Sequence, residues 1–133
     1  MNIIVCIDDN GGMLFNSRRQ SRDEVLCQRV LEVTSGAVLW MNEYSAKLFS
    51  GGAFKVDECF LEKARENDYC FVEQPLPSEL TDKIGKVIVY RWNRKYPADV
   101  RLDVSILESR RLTSSFEFKG TSHEKITEEI FEV

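Results

Sequence analysis

The sequence holds a single histidine and no Cys-x-x-Cys pair in 133 residues, and each scarcity closes off a class of chemistry. A dinuclear metal hydrolase needs several histidines and aspartates around its ions, and His123 alone does not supply them. Zinc ribbons and thioredoxin-type redox sites need closely paired cysteines, whereas Cys6, Cys27, Cys59 and Cys70 are widely spaced. Each falls inside an apolar strand or helix pattern, so all four read as buried free thiols rather than two bridges. An excess of basic residues is missing too. The net charge is −4, and domains that hold nucleic acid through counterion release are strongly basic. The longest apolar runs, such as the one within 2–7, fall far short of the ~20 residues that span a bilayer. No basic region precedes the first of them, as a secretory signal requires, so the cytoplasm is the expected setting. There is no internal repeat, low-complexity tract or linker.

What is present is an ordinary globular composition, 43% hydrophobic and 30% charged, in a length that suits one domain over residues 1–133. Residues 2–7 read as a buried strand, closed by the polar, glycine-containing stretch 8–12. Ser21 and Glu24 form a Ser-x-x-Glu capping box that predicts a helix from Arg22 to about Val33, with Val25, Leu26, Val30 and Val33 at helical spacing and Gly36 ending the segment. Short strands are expected at 37–41, 54–56 and 69–72, and short helices at 43–49, 58–64 and 78–83. Gly51-Gly52 follows a helix and reads as a turn. From 86 onward the pattern changes to strands at 86–92, 100–104, 112–119 and 125–133, the last three suggesting an antiparallel edge. The expected fold class is therefore α/β: a mostly parallel central sheet flanked by helices, with a C-terminal antiparallel hairpin.

The order of these elements and several short motifs resemble dihydrofolate reductase along nearly the whole chain. Ile3-Ile4-Val5-Cys6-Ile7-Asp8-Asp9-Asn10-Gly11-Gly12-Met13 looks like that family's first strand and the start of its mobile active-site loop. Val33-Thr34-Ser35-Gly36-Ala37-Val38-Leu39-Trp40-Met41 looks like its first helix end and second strand. Val87 to Asp99 is similar to its penultimate long strand and turn, and His123 to Val133 to its last strand.

The resemblance also marks what is altered. The family's active-site carboxylate falls at Leu26 here, and Asp23, one turn earlier on the same helical face, is either a substitute for it or an acid stabilised by the helix dipole. The family's Gly-Arg after the methionine matching Met41 is Asn42-Glu43, followed by Tyr44 and Ser45. That places a carboxylate where the cofactor's phosphate charge would sit. The glycine pair that ends the strand matching Cys70-Phe71-Val72 is Glu73-Gln74, and Pro75 then removes a backbone amide. The resemblance therefore implies the scaffold without a complete NADPH site, and no cofactor or metal is expected.

Arg18, Arg19 and Arg22 cluster where they border the implied cleft, either as an anion-binding patch or as a solvated basic loop. With Asp23, Leu26, Trp40, Asn42, Glu43, Ser45 and Tyr90 they make up the cleft candidates. Arg91, Trp92, Arg94, Lys95 and Tyr96 interleave cations and aromatics, which suits nucleic-acid stacking, but core-facing strand alternation explains them better. His123 reads as a turn histidine, because no nucleophile motif accompanies it. Three functions stay open: a non-catalytic binding or interaction module, a divergent enzyme acting on a small pterin-like or anionic substrate, and an acidic inhibitor or partner of another macromolecule. The expected partner is an unknown small molecule or protein, with no membrane and no nucleic acid.

Overall fold

The first strand is apolar on both faces, and a strand of that kind is satisfied only inside a sheet covered on both sides. In the computed structural model, which describes residues 1–133, the chain runs β1 (Asn2–Ile7), β2 (Gly12–Phe15), β3 (Arg18–Arg19), α1 (Glu24–Val33), β4 (Leu39–Met41), α2 (Glu43–Ala46), β5 (Lys55–Val56), α3 (Phe60–Lys63) and β6 (Tyr69–Phe71). A 3-10 turn at Ser78–Lys83 leads to β7 (Val87–Arg91), β8 (Val100–Arg101), α4 (Ser105–Glu108), β9 (Arg111–Phe118) and β10 (Ile126–Glu132). The main sheet has the order β5-β4-β6-β1-β7-β10-β9. β1 pairs in parallel with β6 and β7, and β4 in parallel with β5 and β6. β10 joins β7 and β9 antiparallel, as the expected C-terminal hairpin.

The period of two in β1 and β7 builds a core on each side. Ile3, Val5, Val87 and Val89 pack with Phe60 and Leu61 of α3, Ile106 of α4 and Met13 and Leu14 of β2. Ile4, Ile88, Tyr90 and Phe71 pack on the other face with Leu26, Cys27 and Val30 of α1. No helix is long and apolar enough to cross a membrane.

The structure differs from the sequence-based expectation in four places. The stretch after β1 is not wholly loop: β2 and β3 form a hairpin whose two turn residues, Asn16 and Ser17, both have positive φ, the backbone that a tight hairpin demands. Asn-Ser is a weak signal for that turn, and the strands are too short to show alternation. The segment at 100–104 does not belong to the C-terminal edge. Val100–Arg101 instead pairs with β2 in a separate sheet of order β3-β2-β8, and α4 follows it. Helix α1 starts at Glu24 with Asp23 as its cap, not Ser21, because the Ser21 hydroxyl is engaged elsewhere. Finally, all four cysteines are free, but Cys59 is exposed ahead of α3 rather than buried.

α1 is tied to the sheet by a charge as well as by apolar packing. Glu128 of β10, 2% exposed, accepts from Arg29 Nε at 2.8 Å and Nη2 at 3.0 Å, and from the Tyr90 hydroxyl at 2.8 Å. Burial together with the neighbouring carboxylate pushes the Tyr90 phenol well above its ordinary pKa. Arg29→Ala leaves that carboxylate without its cation and should destabilise the fold by about 3 kcal/mol in urea unfolding. Arg29→Met combined with Glu128→Leu should cost less than Arg29→Ala alone, and a larger loss for the double variant would contradict this account.

Candidate functional site

In an open α/β sheet ligands bind outside the carboxyl ends of the parallel strands, where successive connections leave in opposite directions. Here that point lies between β4, which leads outward to β5, and β6, which leads back across β1 to β7. The chain's own side chains occupy it. Glu73, two residues past β6, receives Arg19 through Nε at 2.8 Å and Nη2 at 3.0 Å, and the Ser45 hydroxyl at 2.8 Å. Such a bidentate charge-assisted pair is among the stronger hydrogen-bonded arrangements. The Arg19 guanidinium also lies 4.2 Å from the centre of the Tyr44 ring. Although burial works against its charge, the bonds to Glu73 raise its pKa. One residue further on, Asn42 donates to Gln74 Oε1 at 3.1 Å while its own oxygen caps α2 through the Ser45 amide at 2.9 Å. The cavity left among Cys6, Met13, Leu26, Phe71 and Glu73 measures ≈ 10 Å3, room for about one water molecule.

Beside this lock sits a second polar cluster, centred on Asp23. Its carboxylate is 4% exposed and accepts from the amides of Val25, Leu26, Thr121 and Ser122 at 2.9 to 3.3 Å. Asp23 Oδ2 also lies 2.9 Å from His123 Nδ1. Burial by itself would raise the Asp23 pKa, but the bonds from His123 and the backbone amides outweigh it and bring it to about 2. Gly120 permits this approach of the β9–β10 turn: a Cβ there would stand 2.3 Å from Asp23 Oδ2. The His123 ring, also 4% exposed, stacks on Trp92 at 4.5 Å. Its Nε2 is 3.0 Å from Ser21 Oγ and 3.2 Å from the Tyr96 hydroxyl.

An open groove of ≈ 500 Å3 lies alongside, lined by Phe15, Asn16, Arg18, Arg19, Gln20, Tyr96 and Pro97. Gln20 borders both spaces. Its amide nitrogen donates to Asp8 Oδ2 at 3.3 Å and to Pro97 O at 3.2 Å, while its buried Oε1 has no partner. Asp8 is itself held by the amides of Asn10, Gly12 and Tyr96, which fixes one wall of the groove to the end of β1.

The structure separates the sequence candidates. Arg19, Arg22, Asp23 and Leu26 line the crevice, Ser45 and Asn42 bond Glu73 and Gln74 beside it, and Arg18 stands exposed on the groove wall. Arg18 and Arg19 lie on β3, and Arg22 is exposed in the coil before α1 with no ion pair. Asp23 is committed to capping and to His123, so neither sequence reading of it is complete. Glu43 is exposed, and its amide bonds Glu58 at 2.8 Å. Trp40 packs on the face away from α1 and donates to Asp68 at 3.0 Å, and Tyr90 is consumed by Glu128; neither lines the crevice or the groove. His123 does sit in the turn before β10, but it is buried and bonded on both nitrogens. Ser21 read only as a helix cap and Gln20 carried no signal in the sequence, because their partners lie at positions 123 and 8.

A sheet of this order, with helices on both faces and a crevice at its carboxyl edge, defines an α/β scaffold. Its particular fold is that of dihydrofolate reductase. The structure is similar to dihydrofolate reductase from Enterococcus faecalis, solved with NADP(H) and RAB-propyl, with a TM-score of 0.66 over 98% of this chain and 94% of that one. The identity is 9%, so the likeness shows the fold alone. No family model and no curated protein matches the sequence.

The lowered Asp23 pKa has a sign for acid stability. A carboxylate whose folded value lies near 2, below its unfolded value near 3.8, stabilises the fold above about pH 4 and loses that contribution as the pH falls toward 2. Urea unfolding measured across that window should show about 2 kcal/mol more loss on acidification for the native sequence than for Asp23→Asn. Parallel curves for the two proteins would contradict the assignment.

Proposed function

We propose that this chain is a single cytoplasmic binding domain on the dihydrofolate reductase scaffold, one that takes a small organic anion in the groove beside β3 and does not transfer hydride from a nicotinamide dinucleotide. The observation that carries the reading is the Glu73 lock. A diphosphate entering between β4 and β6 would meet the Glu73 carboxylate and would have to displace Arg19 and Ser45 from it. Two like charges about 4 Å apart cost about 1 kcal/mol in water and about 4 kcal/mol at the effective dielectric of a protein surface. This cost supports a chain that does not hold, on these residues, a dinucleotide such as the one in the similar structure.

The groove supports the binding half of the proposal. Arg18 is exposed and makes no ion pair, and it shares the lining of the groove with Phe15 and Tyr96. A groove that offers both a free cation and aromatic rings suits a flat anion such as an aromatic carboxylate. Four free thiols fit a reducing compartment.

Two measurements test the reading. Isothermal titration with NADPH should give no saturable heat, and NADPH should not be consumed in the presence of dihydrofolate; turnover above the protein-free rate would overturn the proposal. Thermal-shift measurements with aromatic carboxylates and phosphates should raise Tm for the native chain and not for Arg18→Ala. Equal shifts in both proteins, or none in either, would remove the groove from the reading.

A further inference from the structure

We propose that Ser21 is a nucleophile for acyl transfer to water, with His123 as its general base and Asp23 as the residue that positions the imidazole, acting on small carboxylic esters that carry an anionic group. The substrate class rests on the groove reading above; the nucleophile rests on separate geometry.

Three side chains stand in the required sequence. Ser21 Oγ is 3.0 Å from His123 Nε2, and His123 Nδ1 is 2.9 Å from Asp23 Oδ2. Nucleophile, base and orienting carboxylate within hydrogen-bond reach of one another form the arrangement that activates a serine, whatever the fold or chain order. The ionised Asp23 oxygens only accept, so the proton of the neutral imidazole belongs on Nδ1 and the Nε2 lone pair faces Ser21. The Trp92 stack and the four backbone bonds to Asp23 hold both groups in place. The Tyr96 hydroxyl, 3.5 Å from Ser21 Oγ, joins this cluster to the groove that Tyr96 lines.

Charge stabilisation is also provided. Ser21 is half-buried on the wall of the small crevice, whereas its two partners are enclosed. The amides of Ser21, Arg22 and Asp23, in the coil leading into α1, make no hydrogen bond within the protein. The amide that follows a nucleophilic serine is a common oxyanion donor, and here that is the free amide of Arg22. The unpaired guanidinium of Arg22 is adjacent, and that of Arg18 is available to the anionic group.

The chemistry balances with water as the only co-reactant. Ser21 Oγ attacks the ester carbonyl carbon as its proton passes to His123 Nε2. The tetrahedral oxyanion collapses, the bond to the leaving oxygen breaks, and His123 returns the proton to that oxygen to release the alcohol. Water then attacks the acyl-serine, giving its proton to Nε2. The second collapse releases the acid and restores the Ser21 hydroxyl with the proton from His123.

The test is covalent labelling of the full chain with an alkyl fluorophosphonate, which forms an Oγ–P bond and expels fluoride, followed by intact-mass measurement and peptide mapping. One adduct on Ser21 is expected. Ser21→Ala should abolish it while leaving the far-UV circular dichroism unchanged, and His123→Ala should slow it by about 100-fold. Hydrolysis of p-nitrophenyl acetate should fall to the protein-free rate in Ser21→Ala. An absent adduct, an adduct on another residue, or labelling no faster than in urea-unfolded chain overturns the proposal. The mapped site on the native chain decides by itself, so a His123→Ala that fails to fold leaves the test intact. A Ser21 adduct without the Arg18-dependent thermal shift would remove the anion-binding groove and keep the nucleophile. The reverse result would keep the groove and remove the nucleophile.

Discussion

A single ionised carboxylate ties the start of α1, the β9–β10 turn and the buried histidine into one unit. Asp23 caps α1, receives two amides of the β9–β10 turn and faces the ring of His123. These three attachments are distant in the chain. A charge without its donors would be costly in so enclosed a place, so the helix start, the turn and the imidazole are fixed as one unit. The stacking of His123 on Trp92 and the bond from its other nitrogen to Ser21 follow from that unit.

The second constraint is the pair of Arg19 and Glu73. It closes the carboxyl edge of the sheet, where this kind of scaffold ordinarily leaves room for a ligand. The fold is similar to that of a dihydrofolate reductase solved with NADP(H), and in this chain the strand ends carry a paired carboxylate and guanidinium. Function belongs to sites set on folds, and here the larger open space lies beside the hairpin of β2 and β3 rather than between β4 and β6.

Much of the fold was legible because its signals are local. Apolar runs such as Ile3 to Ile7 and Val87 to Tyr90 are buried on both faces, and each of them reads as a central strand. The helical spacing of Leu26 and Val30 gave α1 its buried side. Boundaries failed where two local solutions competed. Ser21 and Asp23 are both good cap residues, and the choice fell to Asp23 because His123 draws the serine away. The β2–β3 hairpin was hidden because its strands are short and its turn, Asn16-Ser17, is not one of the pairs that announce positive φ.

The candidate site was less legible for a related reason. The arginine cluster was visible as composition, yet sequence spacing could not say that Arg19 is neutralised by Glu73 while Arg18 stays free. By itself, the sequence determined the alternation of strand and helix, the two-sided core and the absence of glycine from the end of β6, since these depend on residue type and short-range period. Only the tertiary structure decided which polar groups meet: Ser21 with His123, Arg29 with Glu128, Arg19 with Glu73. Such pairs form between positions that the sheet brings together, and no local pattern encodes the distance between two strand ends.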